Sequence, residues 1–236
     1  MPGTTVDAGD KSAAKRKRQE KGDQSKKRRK SGGADEADEH EQLQQIPRLE
    51  SEILESRKHY NNIATLLEYA ENRSEDPRTA KAALESLCRV FVQLLALGSL
   101  AKKKELSEKD AAVAAWLRAR LLDYETVLKS MFESKYLGLK ALLLAMALLK
   151  AEALHLDGQE EASFPRTFFS NIISGLFTSA REQLREEFSV KFVTEFDDIR
   201  FYTFQGIRYV SLSLPSLTRA ECANAVKGLS DHAKSR

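Results

Sequence analysis

The sequence predicts an all-α fold of stacked helix pairs, of the HEAT or armadillo kind, following a disordered basic tail. Three observations carry this. From Leu43 onward apolar residues recur at three- and four-residue spacing, the period of one helix face. Strand-like alternation over more than four residues is rare, and the β-branched residues also fall at helical spacing. The run from Leu142 to Leu149 is apolar on nearly every face, as expected of a helix wedged between neighbours. About seven helices are expected, stacked as in a helical solenoid. A compact irregular bundle is the alternative packing for the same helices.

Residues 1–42 come first and are expected to be disordered. Their only branched aliphatic residue is Val6 and they contain no aromatic, so they cannot bury enough apolar surface to offset the entropy of ordering. Charge is sorted within this tail. Residues 1–33 hold eleven basic and four acidic side chains, whereas the rest of the chain holds 27 basic and 31 acidic. The overall net charge of +3 therefore hides a basic arm on a mildly acidic body. An acidic block, Asp35, Glu36, Asp38, Glu39 and Glu41, follows the basic runs.

Residues 43–214 form the helical body. Leu49, Ile53, Tyr60, Ile63, Leu67 and Ala70 make one stripe of a first helix. Asp76-Pro77 supplies an N-cap and a proline at the first position of a second, whose face is Leu84, Leu87, Cys88, Phe91, Val92 and Leu95 and whose stop is Gly98. Ser107-Glu108-Lys109-Asp110 is a capping-box variant before a third, whose stripe is Val113, Trp116, Leu117, Arg120, Leu121, Tyr124, Val127 and Leu128. The apolar fourth helix should stop at Gly158. Ser163 and Pro165 open a fifth with Phe168, Phe169, Ile172, Ile173, Leu176 and Phe177 inside. Two more span about 180–194 and 198–213, the latter capped by Asp197 or Asp198. Residues 215–236 form a weak terminal helix or a disordered end.

Enzyme signatures fail in turn. His59 with Glu55 makes an i,i+4 pair on one helix face, but no second histidine joins it to make a metal site. No phosphate-cradling glycine loop and no nucleophile elbow occurs. Asp197 and Asp198 stand where a helix starts, which favours capping over acid–base work. Catalysis is not expected, nor is any cofactor, metal or small-molecule substrate. The two cysteines, Cys88 and Cys222, show no paired spacing, which points to a reducing compartment. Most of the aromatics of the last third, at helical spacing, are expected in the core, and no membrane span is expected.

Between residues 88 and 205 the order of elements becomes specific. A helix ending FVQLLALG and a basic loop precede AAWLRARLLDYETVLKSMFESKYLGLKALLLAMALLKAEA, then SFPRTFFSNIISGLF and EQLREEFSVKFVTEFDDIRFYTFQGI. The set resembles the N-terminal helical-repeat half of the nucleolar complex protein 4 family. The likeness lies in Trp116 with Arg118 and Arg120, Leu139 to Glu152 as a repeat helix, and Phe164-Pro165-Arg166 with Phe168-Phe169. It continues in Gly175-Leu176 and in Phe196-Asp197-Asp198 with Arg200 and Tyr202. The resemblance implies a nucleolar scaffold of the small-subunit processome, acting in 18S rRNA maturation beside nucleolar protein 14 and other pre-40S and 90S assembly factors. Family members continue into a C-terminal domain of the CCAAT-binding-factor type, thought to carry much of the partner contact and without counterpart up to Arg236. The expectation is an N-terminal half lacking that domain.

Two other readings stand beside this one: a nuclear RNA-binding protein acting through its tail, and a generic nuclear protein-binding solenoid. The tail bears two basic runs, Lys15, Arg16, Lys17, Arg18 and Lys26, Lys27, Arg28, Arg29, Lys30, separated by seven residues. Each has the form of a nuclear import signal, which places the chain in the nucleus or nucleolus. Candidate contacts to pre-rRNA on the body are Lys102, Lys103 and Lys104 in a loop and Arg118 and Arg120 on the third helix.

Overall fold

Short polar sequences set most helix ends. In the computed structural model the described residues are Gly3, 40–72, 76–101, 107–155 and 164–213. The stop at Gly158, the cap at Ser163 and the segment 215–236 lie outside them, as does most of the tail. The chain divides into two compact units, residues 1–45 and 46–236. Helix α1, residues 40–55, begins in the first unit, where Gln44 reaches His40 and Gln45 reaches Glu41 one turn back.

The second unit holds residues 46–55 of α1 and then α2 (Asn62–Glu71), α3 (Pro77–Ala96), α4 (Glu108–Ser130) and α5 (Gly138–His155). After these come α6 (Arg166–Thr178), α7 (Glu182–Phe188) and α8 (Asp197–Ser213). No strand occurs among the described residues. The fold is all-α, as the sequence predicts, with one helix more than expected. The predicted first helix is two, because the chain breaks at Ser56, whose backbone is extended and whose hydroxyl accepts from the Lys58 N–H. A 3-10 turn, Arg57–His59, then re-aims the chain into α2. The apolar stripe runs in phase through this break, which is why periodicity alone reads it as continuous.

Capping elsewhere follows the sequence. Asp76 accepts from the N–H groups of Arg78 and Thr79 at 2.8 and 3.1 Å, with Pro77 in the first turn of α3. Ser107 accepts from the Asp110 N–H at 3.2 Å while its hydroxyl donates to the Asp110 carboxylate at 2.8 Å. Gly98, at φ 67°, closes α3 by the bonds Gly98 N–H to Leu95 O and Ser99 N–H to Leu94 O, a Schellman stop that needs a left-handed residue. For α8 the acids sit inside the first turn: Asp198 accepts from the Ile199 N–H and Asp197 pairs with Arg200. There they favour the positive helix end instead of capping it from outside. The helix predicted near 180–194 is α7 extended by a π turn at Ser189–Val193.

Helices two apart in sequence lie side by side, which makes two layers. The pairs α3–α5 and α5–α7 form one, and α2–α4, α4–α6 and α6–α8 the other. Within a layer α3 and α5 run parallel: Lys140 pairs with Glu85 at 2.7 Å, and one turn on the Cys88 thiol lies 3.8 Å from the Leu144 carbonyl. This is a helical-repeat stack. Between the layers Leu66, Leu84, Leu87, Phe91, Tyr124, Leu142, Leu148, Phe169 and Ile173 are fully buried or nearly so. Burying each such side chain contributes roughly 1.5–3 kcal/mol relative to exposure. Tyr124 stacks on Phe91 with centroids 5.5 Å apart, and its hydroxyl donates to the Leu84 carbonyl at 2.8 Å. Arg89 clamps Glu50 with two bonds of 2.7 Å, tying α3 to α1.

The last three helices close around aromatic rings. Phe164 stacks on Tyr202 at 3.8 Å, and Phe169, Phe188 and Phe192 follow at 5.9–6.4 Å. Most of the aromatics of this region pack in the core, as expected, but three do not: Phe196, just ahead of α8, and Phe201 and Phe204 on its outer side are 51%, 57% and 36% exposed. Helical period fixes which residues share a face, and not whether a neighbour covers it. α6 approaches the turn after α4 most closely at Gly175, where an added Cβ would stand 2.9 Å from the Phe132 ring. Gly175→Val should therefore lower unfolding stability by about 1–3 kcal/mol through overpacking, checked by urea melts. An unchanged midpoint would show that α6 can slide off Phe132.

Candidate functional site

A recess lies between α2 and α4. It is a cleft of about 620 Å³ lined by Ala64, Leu67, Glu68 and Glu71 from α2 and by Arg120, Asp123, Thr126, Val127 and Ser130 from α4. The floor is apolar, since Leu67 and Val127 are each 5% exposed, and the walls are polar. The helical spacing that buries Leu117, Leu121, Tyr124 and Leu128 on one side of α4 sets Arg120 and Asp123 on the other.

Arg120 is the centre of this cleft. Its Nη2 pairs with Asp123 Oδ2 at 2.9 Å, and its guanidinium carbon stands 5.6 Å from the centroid of the Trp116 ring. The Nε is buried with no acceptor. Trp116 is half-buried and packs on the core, so the ring that fills the helix interface also seats the cation. Arg118, two residues earlier, faces elsewhere, and its Nη1 donates to the Leu100 carbonyl at 2.7 Å. The two candidate RNA contacts on the body are thus not one patch: Arg118 fastens the segment after α3, and Arg120 lines the cleft. Lys102, Lys103 and Lys104 and the nine residues of the tail's two basic runs lie outside the described residues.

The cleft presents the carboxylates of Glu68, Glu71 and Asp123 and the guanidinium of Arg120. Its hydroxyls are committed to backbone carbonyls, Thr126 to Leu122 at 2.9 Å and Ser130 to Val127 at 2.8 Å, and its lining contains no histidine or cysteine. His59 does not pair with Glu55. The break at Ser56 removes the i,i+4 geometry, and His59 Nδ1 lies 4.0 Å from Glu52 instead. Among the described residues no group of three or more His, Cys, Asp or Glu side chains could hold a metal ion, and no helix is long and apolar enough to cross a membrane.

One pair of titratable groups went unread in the sequence. Glu152, in the apolar α5, is 5% exposed, and its carboxyl hydrogen-bonds Glu125 of α4 while one oxygen, Oε1, has no partner. Burial, then the neighbouring Glu125 charge, pushes Glu152 up to about 9, and burial pushes Glu125 up to about 7. The only sequence signal was an acid amid ALLLAMALLKAEAL, an unusual place for an exposed charge.

The folded pair holds protons that the unfolded chain releases near pH 4.5. Its contribution is full below that value and declines as pH rises through about 7 and about 9. Glu152→Gln, which keeps the shape and supplies an amide donor, should raise the melting temperature around pH 8–9 and leave it nearly unchanged around pH 5. Circular dichroism melts across that range check this. Parent and variant curves that stay parallel would show the pair to be solvated.

Comparison with known proteins gives this geometry relatives. Residues 34–214, which span both layers, match the family described as Nucleolar complex protein 4-like, TPR repeats. An uncharacterised protein of the fission yeast Schizosaccharomyces pombe is 30% identical over 175 residues, covering 72% of this chain and 36% of that protein. The nucleolar complex protein 4 homolog of the zebrafish Danio rerio is 26% identical over 175 residues, covering 66% of this chain and 32% of its own length. The chain thus spans about a third of the length of the curated relatives it matches.

Proposed function

The chain belongs to the nucleolar complex protein 4-like family, and from that membership we propose that it is a non-enzymatic scaffold of ribosome biogenesis. The observation that carries this is the family match over residues 34–214, which takes in all eight helices from the sixth residue before α1 onward. In this reading the helical array docks on protein partners inside the small-subunit processome, with nucleolar protein 14 as one, and serves 18S rRNA maturation. Two further features support it. The cleft sets polar side chains over an apolar floor, and the helices expose long side-chain rows suited to partner surfaces.

The basic runs of the tail act in this reading as a nuclear and nucleolar address, with rRNA contact secondary. A tagged chain expressed in cells should co-purify nucleolar protein 14 and precursors of 18S rRNA. A folded, nuclear chain that brings down neither would overturn the scaffold role. Separately, a fluorescent reporter fused to residues 1–42 should concentrate in the nucleus, and one that stays cytoplasmic would remove the address from the tail.

A further inference from the structure

The fourth helix of the prediction, α5, packs on α3, α4, α6 and α7, yet one face of it remains open among the described residues. Tyr136, just ahead of the helix, is 79% exposed, and Leu139, Leu143 and Leu154 are 40%, 37% and 54% exposed. With exposed Ala147 and Lys150 they form one row at spacings of three, four, four, three and four. From Leu139 to Leu154 the row is about 22 Å long, three to four turns. That is the pattern of a coiled-coil seam, carrying one lysine where a seam expects an apolar residue. Scattered exposed leucines need no explanation, but a continuous row on one helix does.

We propose that this face of α5 is a docking seam for an amphipathic helix of a partner protein, apolar along its own seam and acidic along its edges. Charge selects the occupant. From Lys135 to His155 the exposed or half-exposed charges are Lys135, Lys140 and Lys150, and the one acid of the stretch, Glu152, is buried. A second copy of this chain, laid antiparallel on the row, would bring Lys150 against the Lys140 region of the other copy, where Lys140 is already paired with Glu85. A carboxylate on an acidic partner helix instead meets Lys150 within the seam and fixes register, and others meet Lys135 at the edge. The inference rests on this surface alone and stands whichever assembly the chain serves.

The test uses the full chain and two fluorescein-labelled synthetic helices of three heptads, leucine along the seam, one edged with glutamate and its twin with lysine. Anisotropy titration should show saturable binding of the glutamate helix and a clear preference for it over the twin. Leu143→Glu and, independently, Leu154→Glu should weaken it by about tenfold or more with the helical circular dichroism unchanged, because both positions are exposed. Lys150→Glu should shift preference toward the lysine twin. The basic tail could attract the glutamate helix unaided, so the loss in the two leucine variants decides the matter. Equal binding of both helices, binding of neither, or leucine variants that bind like the parent would overturn the proposal. Concentration-dependent self-association in sedimentation velocity, abolished by Leu143→Glu, would overturn it too, by making a second copy the occupant.

Discussion

The array depends on the burial of α5. It is the most apolar helix of the chain, and it touches α3 and α7 in its own layer and α4 and α6 in the other. Leu142, Ala145, Leu148 and Leu149 turn inward there and are buried. A helix with apolar residues on several sides cannot sit on a surface, so it must be the member that others pack around. The parallel seating of α3 against it, and the two-layer order that follows, are consequences of that demand. Its strength shows in what it tolerates: the layer interface accommodates Glu152 and Glu125, whose carboxyls burial pushes above their ordinary range. An apolar pair would pack there with no such penalty.

Polar side chains in this body mostly perform joinery. Arg89 binds α1 to α3 through Glu50, Arg118 holds the carbonyl at Leu100, Arg185 donates to the carbonyls of Leu176 and Ser179 at the α6–α7 corner, and Tyr124 donates to Leu84. At Glu50 burial pushes the carboxyl up, but the two hydrogen bonds from Arg89 and its charge help leave the group below its ordinary value. Each of these bonds joins two elements, so each limits how the layers slide. Arg120 differs. Its Nε has no partner, and it opens on a cleft instead of a joint.

Sequence reading succeeded where a local residue dictates the backbone. Asp76 with Pro77, Ser107 with Asp110 and Gly98 act through bonds to their own neighbours, so no tertiary knowledge is needed to see them. It failed where the outcome depends on what lies across a gap. The stripe through Leu49, Ile53, Tyr60 and Ile63 keeps phase across the break at Ser56, and nothing periodic betrays it. Phe201 and Phe204 share helical spacing with buried Phe168 and Phe169, and only the position of α8 in its layer separates exposed from buried. Arg118 and Arg120 appear in sequence as surface cations. Asp123 is an i,i+3 neighbour of Arg120 within α4, but the Leu100 carbonyl that holds Arg118 becomes visible only once α4 is folded against the end of α3.

What remains is a body whose two layers present unlike surfaces. The α2–α4 side offers carboxylates, an arginine and an apolar floor, whereas the α3–α5 side offers leucines edged by lysine. Both have the form of recognition surfaces. A helical stack reaches this division cheaply, because the side of each helix that faces inward fixes stability and the side that faces outward is left nearly independent of it. Outward substitutions can therefore change partners without disturbing the fold. The exposed rows, more than the buried core, are where function in this chain resides.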